Sequence, residues 1–188
     1  MLIGTGDGVL KSRTSIQRRL APAVVAVIIT CLCTAQAQAA VRIVALGASN
    51  TAGKGVGRAS AWPAQLEAML RAKGYDVHVA NAGINGDDTR GMLRRLNSAA
   101  PGGTQIVILD KAPANDRKTG ADSEANIAAI AANLRARNVK LIVIPNMHAW
   151  AGQQLQPDGT HLTEGGHAAV AAKLVPLVIS ALSRSSGR

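Results

Sequence analysis

The chain has no phenylalanine, one tyrosine (Tyr75) and two tryptophans (Trp62 and Trp150). A packed interior must therefore be built from Ala, Val, Leu and Ile. Apolar residues make up 47% of the 188 positions, which excludes a disordered chain. The length suits one domain with its own core rather than two. Scarce aromatics also argue against single-stranded nucleic acid as a partner, because such binding depends on stacking. Acidic residues are in deficit, 11 against 21 Lys and Arg. The basic residues form no sustained run, so the excess reads as a solvated surface rather than a nucleic-acid footprint. No internal repeat is visible.

Cysteine is nearly absent too. Its two copies, Cys31 and Cys33, lie in a segment that reads as a leader. Lys11, Arg13, Arg18 and Arg19 precede an apolar stretch from Leu20 to Cys33, and the small residues Thr34 to Ala40 follow. A basic start, a short apolar stretch and an Ala-x-Ala site mark a secretory signal peptide. The stretch is shorter than the roughly 20 residues a membrane span needs. The expected organisation is a cleaved signal peptide over 1–39, a domain over 40–183 and a frayed tail over 184–188. The mature protein would be periplasmic or secreted, without a stable membrane anchor. It would also lack cysteine, and with it disulfides and thiol chemistry.

The remaining chain alternates strand and helix patterns. Val41 to Leu46, Asp76 to Ala80, Gln105 to Leu109 and Val139 to Ile144 read as short buried strands. Ser60 as N-cap and Pro63 in a first turn open a helix carrying Trp62, Leu66, Met69 and Leu70. Asp88 or Thr89 caps a second helix with Met92, Leu93 and Leu96 on one face. Ser123 to Arg137 forms a third helix. Glu164 to Leu182 forms a last one, kinked or broken at Pro176. This alternation predicts an α/β fold, a three-layer α/β/α sandwich with a mostly parallel sheet of four to five strands. Sites in such sheets lie outside the carboxyl ends of the strands.

The polar residues that matter fall at those ends. Gly47-Ala-Ser49-Asn50 follows the first strand, Asn81-Ala-Gly83 the second, Asn115-Asp116 the third, and Asp158-Gly-Thr-His161 precedes the last helix. A serine hydroxyl needs an adjacent base to become a nucleophile. His161 is the available base, and Asp158 is three residues before it. Singly, each residue also suits a turn or cap.

In order and spacing these blocks resemble the SGNH (GDSL-like) hydrolases. The four name residues map to Ser49 in Gly47-Ala-Ser-Asn50, Gly83 in Asn81-Ala-Gly-Ile-Asn-Gly86, Asn115 in Ala114-Asn-Asp116, and His161 in Asp158-Gly-Thr-His161. Trp62-Pro-Ala-Gln-Leu-Glu67 and Asn81-Ala-Gly83 look most like the small bacterial arylesterase and lysophospholipase group. The resemblance implies a flavodoxin-like fold and a catalytic triad of Ser49, Asp158 and His161. It further implies an oxyanion hole from the Ser49 and Gly83 N–H groups and the Asn115 amide, and a small-molecule or lipid-like ester substrate. No cofactor or metal is expected, and His78, His148 and His167 read as structural or surface residues. Ala48 stands where the family usually has Asp, and Pro113 where it usually has Gly. Proline there is expected to seat Asn115 differently. The short segment between Pro145 and Asp158 offers Met147, Trp150 and Leu155 as pocket wall.

A phosphate-binding loop fails on spacing, because five residues separate Gly47 from Gly53 and Gly55 follows Lys54. A non-catalytic accessory protein on the same fold and a carbohydrate O-deacetylase stand as the alternatives.

Overall fold

The computed structural model of the protein describes residues 39–183. The expected leader up to residue 38, both cysteines and the tail 184–188 lie outside the described residues. Four strands are present: β1 (Val41–Gly47), β2 (Val77–Gly83), β3 (Thr104–Asp110) and β4 (Lys140–Ile144). All pair in parallel, in the order β2-β1-β3-β4. The helices are α1 (Ser49–Ala52), α2 (Trp62–Ala72), α3 (Thr89–Arg94), α4 (Leu96–Ala99), α5 (Pro113–Thr119), α6 (Ser123–Ala136), α7 (Met147–Trp150) and α8 (Glu164–Ser183).

Strand alternation sends successive side chains to opposite faces. On one face Ile43, Ala45, Ile106 and Ile108 pack against α2 and α8 through Trp62, Leu66, Leu70, Val170, Leu174 and Val178. On the other, Val44, Leu46, Val107 and Leu109 meet Met92, Leu96, Ile130 and Leu134 from α3, α4 and α6. These are the three expected layers. The chain leaves β1 toward β2 on one side, and β3 lies on the other. The strand order therefore reverses at β1, and a crevice opens at the carboxyl ends of β1 and β3.

Among the described residues the sheet has four strands, the lower of the expected four to five. The segment between Pro145 and Asp158 holds only the single turn α7, and an isolated antiparallel bridge joins Leu155 to Leu162. Ser60 does not cap α2. Ala61 occupies the cap position without a side-chain bond, and the Ser60 hydroxyl donates to Glu164 Oε1 at 3.0 Å instead. Helix α8 continues through Pro176 without a break. Proline removes the bond to the carbonyl four residues back. Here both Pro176 and Ala172 are exposed, so water can satisfy that carbonyl.

The helices of the α2/α8 layer share a polar joint. The Trp62 N–H is one of the free donors at the start of α2, and it donates to His167 Nδ1 at 3.2 Å. His167 and Trp62 are both fully buried.

Candidate active site

The site gathers at the carboxyl edge of the sheet, from strand ends and from the loop before α8. Gly47 closes β1, and Ser49 opens α1 two residues later. A Cβ on Gly47 would fall 2.1 Å from Thr51 Oγ1, so a side chain there would displace the turn that carries Ser49. The loop before α8 supplies the partners. His161 Nε2 lies 3.0 Å from Ser49 Oγ, and His161 Nδ1 lies 2.5 Å from Asp158 Oδ2. The second carboxylate oxygen of Asp158 accepts from the Thr160 and His161 N–H groups, each at 2.9 Å. Those backbone bonds, with the His161 ring, hold the Asp158 carboxyl well below the usual carboxylate range, the His161 N–H contributing most. The carboxylate is therefore ionised at any pH at which the protein would work, although half of its side chain meets solvent.

Asn50 fastens the two halves together. Its Nδ2 donates to the Thr160 carbonyl at 3.2 Å, and its Oδ1 accepts from the Leu162 N–H at 2.9 Å. His148 Nε2 also meets the Thr160 carbonyl, at 2.9 Å. The chemistry of the sequence singled out neither residue for this role, because both act through backbone groups of a distant loop.

Asp110, at the end of β3, is a second feature that motif reading missed. It is buried, accepts from Thr51 Oγ1 at 3.1 Å and from the Ala112 N–H at 3.4 Å, and takes a further bond from the Ala48 N–H. Burial pushes its carboxyl up, partly offset by those bonds. It ties β3 to both the residue before Ser49 and the helix after it. Position 48, an alanine, contributes no side-chain acceptor of its own.

The expected oxyanion donors are placed unequally. Pro113 is the first residue of α5, where a missing N–H costs nothing and the fixed φ suits the helix. The unusual backbone falls on Ala112 instead, at φ 49°. Asn115 lines the cavity beside Ser49. Its Nδ2 donates to the Asp87 carbonyl at 2.7 Å, which leaves the other amide hydrogen free. Gly83 is different. Its N–H already donates to Asn81 Oδ1 at 2.9 Å, and a Cβ on it would fall 2.2 Å from the Ala52 nitrogen. The glycine is there so that β2 can approach α1. Gly83→Ala is expected to cost about 2–4 kcal/mol, since backbone atoms must move. Chemical denaturation against wild type measures it, and a loss below 1 kcal/mol would contradict this packing.

Three residues further on, Gly86 has φ 77°, a conformation that favours glycine. It adjoins Asp87, to which Asn115 is bonded. The turn dipeptide Asn85-Gly86 was the available signal for it.

A cavity of about 400 Å³ opens between these strand ends. Ser49, Asn50, Asp110, Asn115, Asn146, Met147 and Thr160 are among its lining residues. Of the three expected wall residues only Met147 lines it. Trp150 and Leu155 pack against the α2/α8 core instead. Asn146 caps α7 through a 3.0 Å bond from the Ala149 N–H, and α7 lies against α8, so the end of this turn points into the core layer. Among the described residues no cluster of His, Cys, Asp or Glu has the arrangement of a metal site.

The protein is thus an α/β protein whose parallel sheet carries a hydrogen-bonded Ser49–His161–Asp158 series at its switch point. Comparison with known families is specific: the chain belongs to the GDSL-like lipase/acylhydrolase family, whose profile matches residues 45–173. It is 30% identical over 126 residues to the esterase TesA of Pseudomonas aeruginosa, covering 65% of this chain and 59% of that protein. It is 35% identical over 94 residues to an arylesterase of Vibrio mimicus, covering 50% and 46%. The chain thus spans less than two thirds of either relative. A crystal structure of TesA superposes with TM-score 0.65 at 22% identity, over 74% of this chain and 99% of that one. The psychrotrophic esterase EstA from Pseudoalteromonas superposes with TM-score 0.57 at 20% identity, over 77% and 95%. These superpositions speak for the fold.

Proposed function

We propose that the protein is a serine hydrolase of carboxylic esters, and that Ser49, His161 and Asp158 carry the reaction. The observation that carries this reading is the continuous Ser49–His161–Asp158 series, at 3.0 and 2.5 Å, opening on a cavity. Ser49 Oγ attacks the ester carbonyl carbon and its proton passes to His161 Nε2. The tetrahedral intermediate collapses with cleavage of the bond to the alcohol oxygen, which takes the proton from His161. Water, deprotonated by the same imidazole, then attacks the acyl-serine and releases the acid and Ser49. Asp158 holds the tautomer with hydrogen on Nδ1 and stabilises the imidazolium.

The developing oxyanion would meet the Ser49 N–H and the free hydrogen of Asn115. The Gly83 N–H, the third donor the family resemblance implies, is already bonded to Asn81 Oδ1; the Gly86 turn, next to the Asp87 carbonyl that Asn115 reaches, would be the alternative. The site would work outside the cytoplasm after removal of a signal peptide over 1–39, as the basic start and Ala-x-Ala region suggest. Substrates would be small or lipid-like esters.

Two measurements test the reading. A fluorophosphonate probe is expected to label the protein on Ser49, as mapped by mass spectrometry. A panel of p-nitrophenyl esters of rising chain length, with one acetylated sugar, is expected to show turnover of short chains. Folded protein that stays unlabelled and hydrolyses none of them would overturn the reading in favour of a binding role.

A further inference from the structure

The cavity beside Ser49 carries positive charge that ester cleavage does not require. Lys111 and Arg117 both line it. Lys111 follows β3 directly and is half-buried, and Arg117 lies in α5 and is exposed. The ion pairs among the described residues involve Arg71, His78, Arg90, Arg95 and His161, and neither of these cations. The usual reading of such side chains is a solvated rim with the head groups in water. Two features of the cavity argue for more.

First, the only acid in the lining is Asp110, and it is in no position to neutralise them. Its oxygens are occupied by Thr51 and by backbone N–H groups, and burial favours its uncharged form. The remaining titratable side chain in the lining, His148, is bonded through Nε2 to the Thr160 carbonyl. Second, much of the rest of the wall is small and apolar: Ala48, Ala112, Pro113, Ile144 and Met147. Walls of this kind lower the local dielectric and focus the field of unpaired charges into the cleft. A neutral ester gains from that field only as its oxyanion develops, whereas an anionic substrate gains already on binding. The wall also lacks the long apolar or aromatic surface that a long hydrocarbon chain would cover.

We propose that this cavity selects esters that carry an anionic group, a carboxylate or a phosphate, close to the ester bond, with Lys111 and Arg117 as the residues that receive it. This proposal rests on the hydrolase reading above and names its substrate class. The anion can sit on the acid or on the alcohol side, and matched substrates separate the two. The 4-nitrophenyl monoester of glutaric acid is compared with 4-nitrophenyl valerate, and butyryl glycerol 3-phosphate with monobutyryl glycerol.

At low ionic strength the anionic member of at least one pair is expected to have the higher kcat/KM, by about tenfold. That is the order two partly exposed ion pairs can supply. The difference should lie mainly in KM and shrink as salt is raised past physiological strength. The double variant K111M/R117M should lose about tenfold more on the anionic member than on its neutral partner. Equal turnover of both members in both pairs would overturn the proposal and leave the hydrolase reading standing. So would a preference that survives the double variant. Folded protein inert toward all four esters would overturn both.

Discussion

Ser49→Ala is expected to lower kcat on a short aryl ester by roughly a million-fold, with the thermal midpoint nearly unchanged. The size follows from what the hydroxyl does. Without it no acyl-enzyme forms, and His161 is left beside a methyl group with nothing to deprotonate. Stability should hardly move, because Ser49 is partly exposed and its side chain has one recorded bond, to His161. His161→Ala should cost about as much, and the double variant no more than either alone, since the two act as one unit. Asp158→Asn is the finer probe. It keeps the shape of the loop but presents an amide N–H or a weaker acceptor to His161 Nδ1, favouring the wrong tautomer, and a loss of roughly ten-thousand-fold is expected. Steady-state kinetics on purified variants checks all three. A Ser49→Ala protein keeping even a hundredth of the wild-type rate would remove Ser49 from the nucleophile role.

The second large effect concerns stability and acid. His167 is fully buried, and burial pushes its imidazole down to about 4 from an ordinary 6.5, against a small upward pull from Glu164. Its Nδ1 lone pair is also occupied by the Trp62 N–H, which a proton would have to displace. The unfolded chain therefore binds a proton on this residue at a pH where the folded chain does not. Stability from the neutral, buried imidazole is fully present above pH 6.5 and is lost as pH falls from there to about 4. A shift of that size corresponds to about 3 kcal/mol. His167→Gln retains an acceptor for the Trp62 N–H but does not titrate. Denaturant unfolding of both proteins at several pH values should show the wild type losing about 3 kcal/mol more than the variant across this window. Parallel curves would show that His167 has no part in the acid sensitivity.

What the sequence made legible has a physical pattern. The strands and the long helices carry their signal locally. Ile43 to Leu46 and Ile106 to Leu109 are apolar runs buried on both faces, and α2 and α6 repeat at helical spacing. The proposed nucleophile, base and orienting acid, Ser49, His161 and Asp158, drew notice in the sequence because each follows or precedes such an element, and the structure brings the three within hydrogen-bond distance. The rest depends on contacts no local window contains. Asn50 reaches Thr160 and Leu162 across 110 and 112 residues, and Asp110 reaches Thr51 across 59. Gly83 and Gly86 lie in one motif, and what separates them is tertiary: Gly83 is bonded to Asn81 and packed on α1, whereas Gly86 is open and takes a positive φ. Trp150 looked available for the pocket until the turn α7 was placed against α8. Ser60 had the chemistry of a cap, and Glu164, from the far end of the chain, took its hydroxyl.

The long reach between Ser49 and His161 also bears on how the protein is made. The serine arrives with the first strand and the imidazole with the last loop, and 112 residues separate them. A growing chain on the ribosome therefore has a nucleophile turn without a base through most of its synthesis. The two meet only once α8, the final helix described, has been made and has docked on α2, a non-local step that closes late. Chains stopped short of that point would carry Ser49 as an ordinary hydroxyl. On the function proposed above, an unfinished copy would have no esterase activity to release.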